Sequence, residues 1–242
     1  MKVKSKLFTL FLAVCLVLTS VISVSANAYN KQLESNLNHS LNVESYKEWI
    51  ISQINMKDSN SHEAQIFLNE FNNLTQDEQE LFVSYISDSD LVLDILNSFF
   101  SGTPYTTFEN GDIVILNNEM IQSDEMVIDI KSGLQYRIGT ATRSVSILGI
   151  KVFEYTGEIR YSHDGYSIRE ISHGNIWISR NFLPLIDFSW DRESSYGVNT
   201  SVAHFLRYCT WSFVHEKFGL TYGTHQIEIT GDIRNQTTFS VR

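Results

Sequence analysis

Over residues 140–177 the side chains alternate as they do on a half-buried strand, and turn residues interrupt the alternation twice. Phe153, Tyr155, Ile159 and Tyr161 share one parity, while Glu154, Glu158 and Arg160 take the other. This is the period-2 pattern that sets an apolar face against a wet one. Asp164-Gly165 then predicts a type I′ hairpin turn, because both residues accept positive φ. Tyr166 and Ile168 resume the pattern, and His173-Gly174-Asn175 predicts a second turn before Ile176, Trp177 and Ile178. Three consecutive antiparallel strands make a meander on which the rest of the chain can be built.

Strand patterns extend on both sides of that meander. Residues 112–117 and 126–130 come before it, and Lys131-Ser132-Gly133 predicts a three-residue hairpin loop leading into 135–140. After it, Ile186, Phe188 and Trp190 oppose Asp187, Ser189 and Asp191, and further strands are expected over 205–214, 226–230 and 238–241. About ten short strands joined by turn residues predict an antiparallel β-sandwich, with a barrel as the alternative.

Before residue 101 the period is that of helices. Tyr46, Trp49, Ile50 and Ile54 make one apolar stripe, and Ala64, Phe67, Leu68, Phe71 and Leu74 a second, entered through Ser61 as N-cap. Thr75 and Glu78 have the spacing of a capping box, followed by a stripe of Leu81, Phe82, Tyr85 and Ile86. A fourth stripe, Val92, Ile95, Leu96, Phe99 and Phe100, starts at Asp88 or Ser89. Helices this short need their stripes buried against one another or against the sheet. Ser101-Gly102-Thr103-Pro104 ends the helical part with a capping glycine and a proline. The expected class is therefore α+β, with a helical segment over 29–101, a linker over 102–110 and an antiparallel β domain over 111–242.

The first residues read as a secretion signal. Lys2, Lys4 and Lys6 precede an apolar run from Leu7 to Ile22, and Ala26-Asn27-Ala28 has the small-x-small pattern of a cleavage site. Cleavage after Ala28 leaves a secreted chain with no stable membrane insertion. A retained anchor and a lipidated Cys15 are the alternatives. The chain carries a net charge of −10, and loss of the three leader lysines makes it more acidic still. Nucleic-acid binding wants a basic face to neutralise phosphates, so no nucleic-acid partner is expected.

Catalytic motifs are missing from the sequence: it has no G-x-S-x-G, no H-E-x-x-H, no P-loop and no G-x-G-x-x-G. His163, His173, His204, His215 and His225 match no ligand spacing, and His163 and His173 are expected in exposed turns. Cys209 is the one cysteine left after the signal, and its parity with Trp211 and Phe213 turns it inward as a small apolar residue. A nucleophilic pair would set it against His204, His215 or His225. Asp187 and Asp191 could serve as paired glycosidase carboxylates only across a cleft. The polar stretch from Trp190 through Asp191, Arg192, Glu193, Ser194, Ser195 and Tyr196 to Gly197 reads as a long loop of the kind that carries binding on a rigid sandwich. No catalytic residue, metal or cofactor is assigned.

The stretches FNNLTQDEQELFVSYISD, GIKVFEYTGEIRY and THQIEITGDI, behind a signal peptide, resemble uncharacterised small secreted proteins of Gram-positive bacteria. The resemblance implies secretion and a helical-plus-β layout and supplies no activity. The expected function is a non-catalytic binding or interaction module for an extracellular or cell-envelope ligand. A secreted hydrolase, or a β effector shielded by a helical pro-region, is the alternative.

Overall fold

Four helices precede two antiparallel sheets in the computed structural model, which describes residues 41–55, 61–129, 133–215, 219–234 and 236–242. The expected signal peptide, residues 1–28 with Cys15, lies outside them, as do residues 131 and 132 of the expected hairpin loop. The helices are α1 (Val43–Asn55), α2 (Ser61–Asn72), α3 (Gln76–Ser87) and α4 (Ser89–Phe100). The expected capping box forms: Glu78 N–H donates to Thr75 Oγ1 at 3.3 Å, and Thr75 N–H donates to Glu78 Oε2 at 2.8 Å. Asp88 starts α4, its carboxylate accepting from the amides of Asp90 and Leu91.

The strands are β1 (Tyr105–Phe108), β2 (Ile113–Asp129), β3 (Leu134–Ile147), β4 (Ile150–His163), β5 (Ile168–Asn181), β6 (Ile186–Val198), β7 (Val202–His215), β8 (Gly219–Asp232) and β9 (Thr237–Val241). β1 to β5 form one sheet in chain order, and β6 to β9 form the other. The two sheets do not close on each other, which makes the fold an α+β sandwich. Their inner faces meet through rings, with Phe153 of β4 stacked on Phe188 of β6 at 4.6 Å and Tyr155 against Trp190 at 5.4 Å.

Several boundaries differ from expectation, each for a local reason. The three-strand meander exists, but its first turn is Leu148-Gly149, where both residues have positive φ (48° and 80°). Apolar Leu148 hides this turn from a sequence reading. The second expected turn, at His173-Gly174-Asn175, is the middle of β5. Gly174 serves close approach there instead of chain reversal: a Cβ on it would lie 2.4 Å from Cγ of Phe205 in the facing sheet. At Asp164-Gly165 the chain does reverse, without type I′ geometry. Gly165 alone has positive φ, and the Asp164 carboxylate accepts from the amides of Tyr166 and Ser167 at 2.9 and 2.8 Å. The strands expected over 112–117 and 126–130 are one strand, β2, with two register shifts. Residues 190–197 are strand, not loop, with the ladder shifted between Trp190 and Ser194.

The helices and sheets bury a continuous set of rings within the compact unit Asn42–Arg242. Tyr46, Phe67, Phe71 and Phe82 pack together among α1, α2 and α3, and Phe67 stacks on Phe182 at 4.2 Å, next to β5. The last turn of α4 enters between the sheets: Phe99 meets Phe153 and Tyr155, and Phe100 stacks on Trp211 and His225. Fully buried Arg143 of β3 closes that helix end by donating to the carbonyls of Phe99, Ser98 and Thr103. Gly102 takes the expected left-handed conformation (φ 76°) against Val241. Within the stretch expected to be a linker, Tyr105 to Phe108 pair with β2.

Candidate functional site

Strand alternation gives the four-stranded sheet an outer face that is polar and open. Ala203, Phe205, Cys209, Trp211 and Phe213 of β7 are buried inward, so His204, Leu206, Tyr208, Thr210 and Ser212 point outward. In β8, Ile227 and Ile229 turn in, and Tyr222, Thr224, Gln226, Glu228 and Thr230 turn out. Phe239 and Val241 of β9 are buried, leaving Thr238 and Ser240 outside.

Cross-strand pairing arranges these outer residues in rows. Thr210 and Thr224 are directly opposite, their hydroxyls 2.8 Å apart, with Ser189 on the other side of Thr210. Tyr208 is opposite Gln226. Thr230 and Thr238 share a 2.7 Å hydrogen bond. The β6 bulge at 191–193 sits beside Tyr208, and Arg207 holds it from the inner side. Its guanidinium lies 4.9 Å over the Trp190 ring and donates to the Asp191 carbonyl at 3.4 Å. Bulges of this kind re-aim side chains near binding surfaces. The polar stretch singled out in the sequence thus borders the face as a bulged edge.

At the β9 end of the face, Glu228 of β8 collects partners from β7 and from the end of β9. His204 Nδ1 lies 3.0 Å from Oε1, while Ser240 Oγ and Arg242 Nη2 each lie 3.4 Å from Oε2. Glu228 is nearly buried, and Arg242 is mostly exposed. The His204 ring passes over Gly197 of β6, whose missing side chain leaves it room. The carboxylate therefore fixes the imidazole, as in catalytic dyads. Among the described residues no hydroxyl or thiol hydrogen-bonds its other nitrogen.

The other residues weighed from the sequence are scattered. Cys209 is fully buried, as its parity requires, and its sulfur lies 2.9 Å from the Tyr155 hydroxyl. Burial pushes the thiol up to about 11, outweighing the Tyr155 contact, which acts the other way. His225 is directly opposite Cys209 in the ladder, but its ring stacks on Phe100 at 4.4 Å, and burial holds it below its ordinary value. His163, expected in an exposed turn, is buried at the end of β4. Gly165 N–H lies 3.2 Å from its Nδ1 and Arg137 Nε 3.3 Å from its Nε2. The two donors face different ring nitrogens, and a neutral imidazole accepts at only one of them, so either tautomer satisfies one donor and not the other. His173 lies within β5, opposite Arg160. Asp187 and Asp191 are on an exposed edge strand, and the His215 side chain is outside the described residues. Among the described residues no three of His, Cys, Asp or Glu converge to hold a metal ion.

What the sequence reading missed is the outer face itself. Its signal was the alternation Ser-Val-Ala-His-Phe-Leu-Arg-Tyr-Cys-Thr-Trp-Ser-Phe over 201–213, which sorts polar residues and Tyr208 to one side. Comparison of the chain with protein-family models, with curated proteins and with solved structures finds no match.

Proposed function

We propose that this chain is a secreted, non-catalytic binding module, and that the outer face of its four-stranded sheet takes an uncharged polyhydroxylated ligand of glycan type. The observation carrying this reading is the presentation of Tyr208 and Tyr222, 40% and 70% exposed, on a rigid sheet among hydroxyl and amide side chains. A flat aromatic ring stacks on the apolar face of a sugar, while Thr210, Thr224 and Gln226 offer the donors and acceptors its hydroxyls require. The acidic chain favours neutral ligands over phosphate-rich ones. The leader sequence and the resemblance to secreted Gram-positive proteins support an extracellular or cell-envelope location for that ligand.

The hydrolase alternative has less support. Its best candidate pair, His204 and Glu228, is a hydrogen-bonded unit on the outer face of the sheet, and among the described residues no nucleophilic hydroxyl or thiol joins it. A shielding pro-region fits poorly with α4, since its removal would strip Phe99 and Phe100 from the rings of β4, β7 and β8. The test is titration of the secreted protein with a panel of soluble neutral polysaccharides. Binding to at least one of them is expected, weakened about tenfold or more in Tyr208→Ala at unchanged thermal stability. Absence of binding across the panel, or binding indifferent to Tyr208, overturns the reading.

A further inference from the structure

An unpaired strand edge is a template for another strand, and most such edges in this fold are blunted in the usual ways. β1 has only 4 residues and β9 only 5. The part of β2 beyond β1 includes Glu119, Asp124, Glu125 and Asp129 and two register shifts. β5 has three register shifts against β4 and carries Arg169, Glu170 and Arg180. β6 is bulged and carries Asp187 and Asp191.

One edge lacks every such protection. β9 covers β8 only from Ile227 to Gly231, with Gln226 exchanging backbone bonds with Arg242 at 2.8 Å in both directions. Residues 219–225 of β8 extend past that point. Their ladder with β7 runs without a shift, and their sequence, Gly-Leu-Thr-Tyr-Gly-Thr-His, holds no acid, lysine, arginine or proline. Leu220 is 63% and Tyr222 70% exposed. Because Gln226 faces β9, the alternation of an antiparallel ladder turns the N–H and C=O of Thr224, Tyr222 and Leu220 toward the same open side.

We propose that a second copy of this chain pairs with this edge, β8 against β8 and antiparallel about a twofold axis at Tyr222. The edge is its own complement. With Tyr222 opposite Tyr222 of the second copy, Leu220 falls opposite Thr224 and Thr224 opposite Leu220, and each open N–H meets an open C=O. Self-complementary strips of this kind give closed dimers. The strip brings no like charges together, whereas the chain as a whole carries −10 and repels a copy elsewhere. Pairing joins two four-stranded sheets into one and sets their outer faces side by side. Any multivalent ligand of those faces would then gain avidity. The strip is short, so the dimer belongs to the small, reversible class of interfaces.

Sedimentation velocity on the purified protein from about 1 to about 300 μM tests this, a range that brackets the affinity of small interfaces. A reversible monomer–dimer equilibrium is expected. Tyr222→Lys, which sets two ammonium groups opposite each other, should stay monomeric throughout at unchanged thermal stability. Tyr222→Cys should form a disulfide-linked dimer under mild oxidation, while Tyr208→Cys, on the same face but away from the axis, should not. A wild-type protein that stays monomeric, a dimer that survives Tyr222→Lys, or a failure of Tyr222→Cys to cross-link overturns the proposal. Tyr208→Ala, which weakens ligand binding in the reading above, leaves the dimer intact, so the two ideas fail separately.

Discussion

Arg143 Nε in β3 donates to the carbonyl of Phe99 in α4 at 2.7 Å, and its guanidinium lies 5.0 Å over the Phe99 ring. The last carbonyls of a helix have no partner within it, and the C-terminus carries the negative end of the helix dipole. A buried cation there satisfies three carbonyls at once and ties the helical layer to the first sheet. Burial lowers the guanidinium to about 10, which leaves it charged at neutral pH. Arg143→Ala is expected to cost about 3 kcal/mol in urea unfolding, because it orphans buried acceptors and opens a cavity. Arg143→Lys should recover less than half of that, since an ammonium cannot reach the separated carbonyls with a planar fork.

Gly174 sits under Phe205, closer than any side chain allows. Gly174→Ala is expected to destabilise by about 1–3 kcal/mol through overpacking. Phe205→Leu in the same chain should restore part of the loss, a coupling that a double-mutant cycle reads directly. A merely local backbone effect of the alanine would show no such coupling.

This glycine marks where the sequence stopped being legible. Among the described residues, periodicity identified the four helices, the capping box at Thr75 and the inward parity of Cys209, because each depends on residues close in the chain. Gly174 looked like a turn because its reason lies in another sheet, and Leu148 did not look like a turn because its positive φ is imposed by the hairpin, not by its own preference. Residues 190–197 looked like a loop because an exposed edge strand with a bulge has no apolar alternation. The first half of β8 was missed likewise: Leu220 and Tyr222 share a parity with polar Thr224 and Gln226, so nothing marks an inner face. The outer face of the four-stranded sheet could be traced from the alternation in β7, but the convergence of His204, Ser240 and Arg242 on Glu228 needs the register of three strands.

Two histidines give the protein an acid sensitivity. Burial lowers His225, and burial with the neighbouring Arg137 lowers His163. The folded state keeps both neutral at pH values where the unfolded chain takes up protons, so stability is fully present above the unfolded value near 6.5 and is lost as pH falls through it. Asp164, held well below the usual carboxylate range chiefly by the Tyr166 and Ser167 amides, adds a second loss below its ordinary 3.8. Thermal unfolding midpoints should be level from about pH 8 to about pH 7 and decline from about pH 6.5 downward. His225→Phe, which keeps the stack on Phe100, should make the decline between about pH 6.5 and about pH 5 shallower without removing it, because His163 still titrates.

Cys209 offers the sharpest discrimination between a binding module and a cysteine enzyme. Its sulfur is fully buried beside Tyr155, and desolvation dominates its proton affinity, raising it to about 11. A nucleophilic cysteine needs the opposite, an accessible thiolate with a lowered value. A disulfide reagent near neutral pH should therefore label the native protein far more slowly than the urea-unfolded chain, at a rate set by opening of the β6, β7 and β8 ladder. Cys209→Ala should cost about 1–2 kcal/mol, as small core truncations do, and leave ligand binding unchanged. Tyr155→Phe should keep the thiol slow, because burial and not the hydroxyl is what protects it. Rapid labelling of the native thiol, abolished by changing His225 while the fold stays intact, would instead make the Cys209 and His225 pair a working nucleophile and overturn the non-catalytic reading.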